Sequence, residues 1–158
     1  MNQILWIMCG APGSGKSYFA KNILWKNTKS YYISRDEIRY EMVEPGESYF
    51  KKETAVFNEF IKRIQIIIDS KVEANIIVDA THLNTASRMK LLRHLNLNSN
   101  IKVIPVWMKT SERTCLARNK TRTGRECVPE DALHRMFMSR SHPSKDPYKY
   151  AGILEVNE

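Results

Sequence analysis

The stretch "GAPGSGKS", residues 10–17, constrains the fold of this chain more than any other feature. It matches the pattern GxxxxGK[ST] and lies between an apolar run at residues 4–9 and a helix predicted at residues 16–25. Glycines in such a turn let backbone N–H groups surround phosphate oxygens, and the helix start adds its positive dipole end. A strand, this loop and a helix in that order predict a nucleotide-binding P-loop.

Each residue from Gly13 to Ser17 has a predicted role in binding the nucleotide or its metal ion. Gly13, Ser14 and Gly15 are expected to wrap the phosphates of ATP or another NTP, and Lys16 to reach the β- and γ-phosphates. The hydroxyl of Ser17 is expected to help hold Mg²⁺. A P-loop alone does not distinguish a kinase from a switch or a motor, so the choice depends on other segments.

Apolar runs alternate with segments of helical periodicity along the rest of the chain. Strands are predicted at residues 4–9, 31–33, 74–78, 101–108 and 153–156, although Pro105 interrupts the fourth of these. Helices are predicted at residues 16–25, 35–43, 52–71 and 85–96, and another after Pro129. This alternation predicts an α/β, three-layer P-loop domain over residues 1–158, with a central parallel sheet and a basic helical lid at about residues 113–141. Ligands of such sheets bind beyond the carboxyl ends of the strands.

Charge and composition narrow the partners. The net charge is +8, and residues 102–149 carry 11 Lys/Arg against 5 Asp/Glu. This excess favours an anionic partner, a nucleic acid or a nucleotide, although a solvated basic face is the alternative.

No apolar run has the roughly 18 residues of a membrane span, no signal peptide is recognisable, and three cysteines lack metal-ligand spacing. We therefore expect a cytoplasmic protein without a membrane partner.

The stretch "YYISRDEIRYEM", residues 31–42, follows one of the predicted strands. Asp36 is a candidate general base for an acceptor hydroxyl, and Arg39, one helical turn later, could hold an anionic acceptor. The structural alternative is a helix start, with Ser34 as N-cap and Glu37 completing a capping box. The two interpretations are compatible, because the cap uses Ser34 and Glu37 and leaves Asp36 and Arg39 available.

Two further segments are candidates for the same site. In "DATHLN", residues 79–84, Asp79 could orient Mg²⁺, or it could merely fix a turn while Asn84 caps the next helix. The basic segment "RNKTRTGRECVPED", residues 118–131, has the composition of a phosphate-covering lid, although a basic loop is often only an exposed one.

These four segments, in this order, resemble the P-loop kinases of the polynucleotide 5′-hydroxyl kinase type. The resemblance rests on "GAPGSGKS", "ISRDEIR", "IIVDATHLN" and "RNKTRTGRECVPEDAL". It implies that Asp36 is the base for a 5′-hydroxyl of DNA or RNA, and that Arg39 binds the phosphate next to the acceptor nucleotide. Arg35 and Thr81 are further acceptor-binding candidates. Phage members of the family also carry a 3′-phosphatase domain, but its DxDxT motif does not occur here, so a kinase alone is expected.

The resemblance leaves two residue assignments open. Counting from Arg118 makes Arg122 the lid arginine that stabilises the transferring phosphoryl group, whereas counting back from Val128 and Pro129 leaves Arg125 possible. Similarly, Asp79 lies one position from the acidic residue of the family.

Three classes of function remain after the sequence is considered. The first is a polynucleotide kinase, the second a related kinase of a nucleoside, sugar or antibiotic, and the third a nucleotide-dependent switch without an acceptor. The sequence leaves open DNA against RNA, the preferred donor nucleotide and the oligomeric state.

Overall fold

A computed structural model describes residues 2–24, 29–124 and 127–158 of the chain. Its strands form one parallel sheet in the order β2-β3-β1-β4-β5, which confirms the predicted α/β class. The strands are β1 (Gln3–Cys9), β2 (Ser30–Ser34), β3 (Ala74–Asp79), β4 (Ile101–Met108) and β5 (Leu154–Val156). The α-helices are α1 (Lys16–Phe19), α2 (Arg35–Met42), α3 (Glu53–Ser70), α4 (Thr85–His94), α5 (Glu112–Asn119) and α6 (Glu130–Ser139).

Helices cover both faces of the sheet, as the three-layer prediction requires. On one face, α3 and α4 bury the apolar stripe that the sequence predicts, with Phe60, Ile64 and Leu91 packed against Leu5 and Ile76. The central strands are apolar on both sides because both sides are buried. Among the described residues, no helix is both long and apolar enough to cross a membrane.

The second face shows where the predicted helix at residues 16–25 differs from the structure. The α-helix α1 ends at Phe19, and the chain continues as a π-helical turn over Ala20–Leu24; Trp25 lies outside the described residues. Ala20 in this turn packs against Met8 and Ile77 of the sheet. A π turn widens the helix by one residue per turn, which sequence periodicity does not indicate.

Pro105 is accommodated in β4 by the extent of the strand pairing. Pro105 lies opposite Ile7 of β1, and the pairing with β5 begins one residue later, at Val106. A residue without a backbone N–H is tolerated where the outer side of a strand carries no ladder bond. The predicted fourth strand therefore forms in full.

The predicted lid consists of α5, α6 and the segment between them. The two helices pack together through a small apolar cluster in which Cys115 and Leu133 are buried against Ala11 and Leu83. Ala11 belongs to the P-loop and Leu83 to the segment after β3, so the lid helices rest on both phosphate-side loops.

The C-terminal segment is fixed by a buried ion pair. The guanidinium of Arg88 in α4 lies 2.6 Å from Asp146, and both side chains are fully buried. Thr85 and Tyr150 also donate hydrogen bonds to the Asp146 carboxylate, each at 2.6 Å. Although burial alone would raise the pKa of Asp146, these hydrogen bonds outweigh it and lower the pKa. The pair joins α4 to the residues that lead into β5.

We expect Asp146→Ala to lower the free energy of unfolding by about 3–5 kcal/mol, because the Arg88 guanidinium would stay buried without its carboxylate. Urea denaturation followed by circular dichroism measures this loss. Glu73→Ala, which removes a solvent-exposed ion pair with Lys29, is the matched control and should change the midpoint little. Equal losses in the two variants would contradict the assignment.

Candidate active site

The P-loop joins the end of β1 to the start of α1 through two glycines in a left-handed conformation. Gly13 and Gly15 have φ angles of +86° and +88°, which side chains rarely adopt. A Cβ atom on Gly13 would also lie 2.8 Å from the carbonyl oxygen of Cys115 in α5. Both backbone conformation and space therefore require glycine at Gly13, and the loop bends around an open concave side.

A cavity of about 420 Å³ opens over this loop. All the predicted phosphate-binding residues line it: Gly13, Ser14, Gly15, Lys16 and Ser17. Arg118 and Arg122 of the predicted lid also line it. The structure thus places the P-loop residues predicted to bind the donor nucleotide in one cavity with two arginines of the predicted lid.

The carboxylate of Asp79 lies directly behind the P-loop at the end of β3. It accepts a 2.6 Å hydrogen bond from the Ser17 hydroxyl and a further one from the Tyr32 hydroxyl, and its second oxygen lies 3.5 Å from Lys16 Nζ. Burial, followed by the nearby Asp79 charge, raises the pKa of Tyr32, which keeps this phenol protonated as a donor. Both predicted metal residues, Ser17 and Asp79, are therefore adjacent.

The helix α2 carries three residues that are predicted to act on or bind the phosphoryl acceptor. Arg39 donates to Glu53 at the start of α3, through Nε at 2.6 Å and Nη2 at 3.1 Å, and through Nη1 to Asp36 Oδ1 at 2.5 Å. Arg35 donates to the same Glu53 at 3.0 Å. Tyr49 donates to Asp36 Oδ1 at 2.9 Å, and burial is the main cause that raises its pKa to about 12. The predicted base and anion clamp thus share one ordered network.

The start of α2 also carries the helix cap that the sequence predicts at Ser34. The side chain of Ser34 accepts a hydrogen bond from the backbone N–H of Glu37 at 3.2 Å, which is the Ser34 half of the predicted capping box. The cap fixes the first turn of α2 and so the direction of Asp36, whose side chain is 60% exposed. Helix capping and site geometry are therefore parts of one arrangement.

A second cavity, of about 470 Å³, lies between α2 and the lid. Asp36, Arg39 and Thr81 line it together with Lys16 and Arg122. Lys16, Ser17 and Arg122 also line the cavity over the P-loop, so the two cavities meet at these residues. This junction is where a donor phosphate and an acceptor group would come together.

Within the predicted lid, Asn119, the last residue of α5, links the end of that helix to Val128. Its buried side-chain amide binds the backbone of Val128, with Val128 N–H donating to Oδ1 at 2.9 Å and Nδ2 donating to the Val128 carbonyl. Arg118 donates to the Gly13 carbonyl at 3.1 Å. Arg122 lines both cavities, whereas Arg125 lies outside the described residues.

The segment after β3 is tied to the P-loop strand by backbone and side-chain contacts. The Thr81 carbonyl accepts from Gly10 N–H at 2.9 Å, and His82 Nδ1 lies 3.1 Å from the Met8 carbonyl oxygen. His82 stacks on Phe60 and has a φ of +41°. These contacts hold Thr81 at the rim of the acceptor-side cavity.

A family model described as an AAA domain matches residues 5–143, from β1 through both lid helices to the segment after α6. The chain belongs to the AAA domain family. The match includes every described site residue named above, so the P-loop, the α2 network and the lid are all parts of the AAA domain.

One relative of this AAA domain chain comes from Autographa californica nuclear polyhedrosis virus and is named as a bifunctional polynucleotide kinase/RNA ligase. It is 26% identical over 147 residues, which cover 84% of this chain but only 20% of the viral protein. The predicted resemblance to polynucleotide kinases is confirmed by this relative, and the chain spans about a fifth of its length.

Solved structures share the fold. The Pnkp1/Rnl/Hen1 RNA repair complex contains a chain with a TM-score of 0.69 and 17% identity, covering 87% of this chain and 44% of that one. A kinase structure from Chloroflexus aurantiacus gives 0.75 at 15% identity, covering 99% and 89%. A gluconokinase from Sinorhizobium meliloti gives 0.55 at 17% identity, covering 99% and 82%. At these identities the comparisons show a P-loop kinase fold, shared by kinases of different acceptors.

Several residues of the AAA domain site were not identified from the sequence. Glu53 and Tyr49 complete the α2 network, Tyr32 binds Asp79, and Arg118 and Asn119 shape the lid. Asn119 carried a usable signal, because it stands beside the lid arginines in "RNKTRTGRECVP". The contacts of Glu53 and Tyr49 reach back 14 and 13 residues across a loop, and no local pattern indicates them.

Stability should depend on pH through His82. Burial lowers the pKa of His82 to about 4, against roughly 6.5 in an unfolded chain. The unfolded state therefore binds the proton first, and stability falls as pH decreases below about 6.5, with a slope approaching about 1.4 kcal/mol per pH unit. We expect His82→Asn, which tolerates the positive φ, to flatten this slope in urea denaturations between pH 5 and 7. His134→Gln, at an exposed position, is the control that must keep it.

Proposed function

We propose that this chain is an ATP-dependent kinase that transfers the γ-phosphoryl group to 5′-hydroxyl ends of nucleic acid. The observation that supports it is the shared junction of the two cavities, where Lys16 and Arg122 line both and Asp36 opens into only one. A switch needs the first cavity alone. A carboxylate and an arginine clamp beside the phosphate site have a use only if an acceptor enters.

In the proposed reaction, Asp36 takes the proton of the acceptor hydroxyl while that oxygen forms its bond to the γ-phosphorus. The bond from phosphorus to the bridging oxygen of ADP breaks as the new one forms. Arg39 and Tyr49 both contact Oδ1 of Asp36, so we assign Oδ2 to the acceptor. Lys16 and Arg122, which line both cavities, stabilise the charge on the transferred group.

The residues behind the P-loop fit Mg²⁺. Asp79 Oδ1 is buried and, within the described residues, has no hydrogen-bond partner, and Ser17 is 2.6 Å from the other carboxylate oxygen. No cluster of three or more His, Cys, Asp or Glu suited to a metal occurs in the part of the chain that the structure describes. Ser17 and Asp79 would therefore hold the ion together with nucleotide phosphates and water. When bound, Mg²⁺ neutralises charge on the β- and γ-phosphates.

A nucleic acid acceptor is supported by charge as well as by the viral relative. Arg39 is nearly buried and lines the acceptor-side cavity, where its positive charge would favour a phosphate of the acceptor. The segment 102–149 carries 11 Lys/Arg against 5 Asp/Glu, and Arg122 of this segment lines the cavity. A polyanion would gain from both.

A small-molecule acceptor is the second candidate. The acceptor-side cavity, at about 470 Å³, lies within the range of sites that bind drug-sized molecules, and the gluconokinase shares the fold. A nucleoside or sugar would use Asp36 in the same way but would have no phosphate for Arg39.

The central test is Asp36→Asn, which keeps the shape of the side chain and removes its basicity. With γ-labelled ATP, Mg²⁺ and 5′-hydroxyl oligonucleotides, we expect the wild-type chain to label the oligonucleotide and the variant to be slower by roughly 10²–10⁴-fold. Glu41→Gln, on an exposed part of α2, is the matched control and should keep full activity. A nucleotide-binding assay should find ATP affinity nearly unchanged in both.

Parallel reactions with mononucleosides and sugars separate the classes of function. Label on small molecules but not on oligonucleotides would replace the polynucleotide acceptor with the second candidate. ATP binding or hydrolysis without transfer to any acceptor would support a switch and exclude both kinases.

For the lid, Arg122→Ala should reduce kcat by about 10²-fold, equivalent to ~3 kcal/mol of transition-state stabilisation. Steady-state kinetics should show a smaller change in the KM for ATP. Arg135→Ala removes an exposed arginine of α6 that pairs with Asp131 and is the control. Unchanged turnover in Arg122→Ala would transfer the role to Arg125.

A further inference from the structure

The loop between α2 and α3, residues 43–52, carries two aromatic side chains beside the acceptor-side cavity. Tyr49 and Phe50 meet edge to face with ring centroids 5.0 Å apart, and Tyr40 of α2 contacts Tyr49 at 5.8 Å. We name Tyr40, Tyr49 and Phe50 the aromatic ledge. All three line the cavity that contains Asp36 and Arg39.

Phe50 is the outermost ring of the ledge, and its exposure is high for its residue type. It is 64% exposed although phenylalanine usually lies in the interior, and it has no polar atom with which to satisfy water. The ring nevertheless has a defined environment, since the Arg39 guanidinium lies 5.3 Å from its centroid and 4.9 Å from that of Tyr49. One face of the ledge is thus fixed by a cation, and Phe50 presents further apolar surface to the cavity.

We propose that Phe50 is the stacking platform for the terminal nucleobase of the acceptor. This inference rests on the proposed function and specifies its substrate: an acceptor that carries a planar base on the sugar whose hydroxyl is phosphorylated. Nucleobases stack on aromatic side chains with little dependence on base identity, because every base has a π face. Phe50 lacks a hydrogen-bonding group, so the platform recognises the presence of a base rather than its sequence.

The position of the ledge distinguishes the acceptor base from the donor base. Phe50 lines the cavity of Asp36, whereas the cavity over the P-loop is lined instead by Gly13, Gly15 and Arg118. Tyr49 connects the ledge directly to Asp36, the proposed general base, through a 2.9 Å hydrogen bond. A nucleobase on the ledge would therefore lie on the side of the acceptor hydroxyl.

The same contacts argue against a sugar without a base as the preferred acceptor. Free hydroxyl groups of a sugar require polar partners, and the exposed end of the ledge offers a hydrocarbon ring. Arg39, the nearest strong donor, is already engaged by Glu53 and Asp36. The ledge is consequently suited to a flat aromatic group that continues into a phosphate.

The test compares two oligonucleotide acceptors that differ only in their 5′-terminal residue, one with a base and one abasic. We expect the wild-type chain to have a lower KM for the acceptor with the base. Phe50→Ala should raise that KM by roughly tenfold or more and leave the abasic KM and both kcat values nearly unchanged. Phe50→Tyr should retain most of the wild-type preference. Ile66→Ala, at an exposed apolar position of α3, is the control and should behave as wild type.

Two kinetic outcomes would overturn the platform. One is a wild-type chain that uses both acceptors equally well. The other is a Phe50→Ala variant that loses affinity for both acceptors to the same extent, which would indicate a disturbed loop.

A binding measurement separates this inference from the proposed function, because it needs no phosphoryl transfer. An oligonucleotide with 2-aminopurine at its 5′ end should lose fluorescence when the wild-type chain stacks the base, and Phe50→Ala should abolish the quenching. Quenching that depends on Phe50 without any transfer would keep the platform and reject the kinase. Transfer to oligonucleotides without such quenching would keep the kinase and reject the platform.

Discussion

The buried carboxylate of Asp79 is the interaction on which the site depends. Asp79 is the last residue of β3, and its carboxylate oxygens contact Ser17, Lys16 and Tyr32. It therefore links the P-loop, β3 and β2 at the carboxyl edge of the sheet. A carboxylate that is only 3% exposed is stable only when charged or hydrogen-bonded partners replace its lost water. Two of its three partners, Ser17 and Lys16, are the P-loop residues that we propose bind the nucleotide and its metal. The phosphate site and the packing of the three segments are therefore one electrostatic arrangement.

A second arrangement, centred on Glu53, organises the acceptor side. Glu53 holds Arg39 through two hydrogen bonds and Arg35 through a third, and Arg39 in turn reaches Asp36. One carboxylate from α3 thus orients two cations from α2 beside the proposed base. Arg39 is nearly buried, and without Glu53 its charge would lie at the cavity wall with less compensation. Positioning on the acceptor side depends on contact between two helices, whereas on the donor side it depends on a single loop.

This difference explains how much of the site could be predicted from the sequence. The P-loop is contiguous, so its glycines and Lys16 carry their geometry in eight residues, and β3 brings Asp79 to it by the rule that ligands bind at strand carboxyl ends. The proximity of Asp36 and Arg39 could be predicted because one helical turn separates them. Glu53 and Tyr49 were missed because their contacts depend on the path of residues 43–52, which no periodicity specifies. The π-helical turn after α1 was missed for a similar reason, since its cause lies in packing against Met8 and Ile77.

The predicted lid contacts both arrangements, because Arg118 binds the P-loop and Arg122 lines both cavities. Asn119, the last residue of α5, binds both backbone groups of Val128, which ties the end of α5 to the residues just before α6. Arg118, in the last turn of α5, donates to the Gly13 carbonyl, and Arg122, four residues further on, lines both cavities. In the proposed reaction, Arg122 would gain from such a support, because less side-chain and backbone freedom would be lost when it binds the phosphoryl group. In the proposed reaction, the buried amide of Asn119 is thus a positioning residue for the segment that carries Arg122.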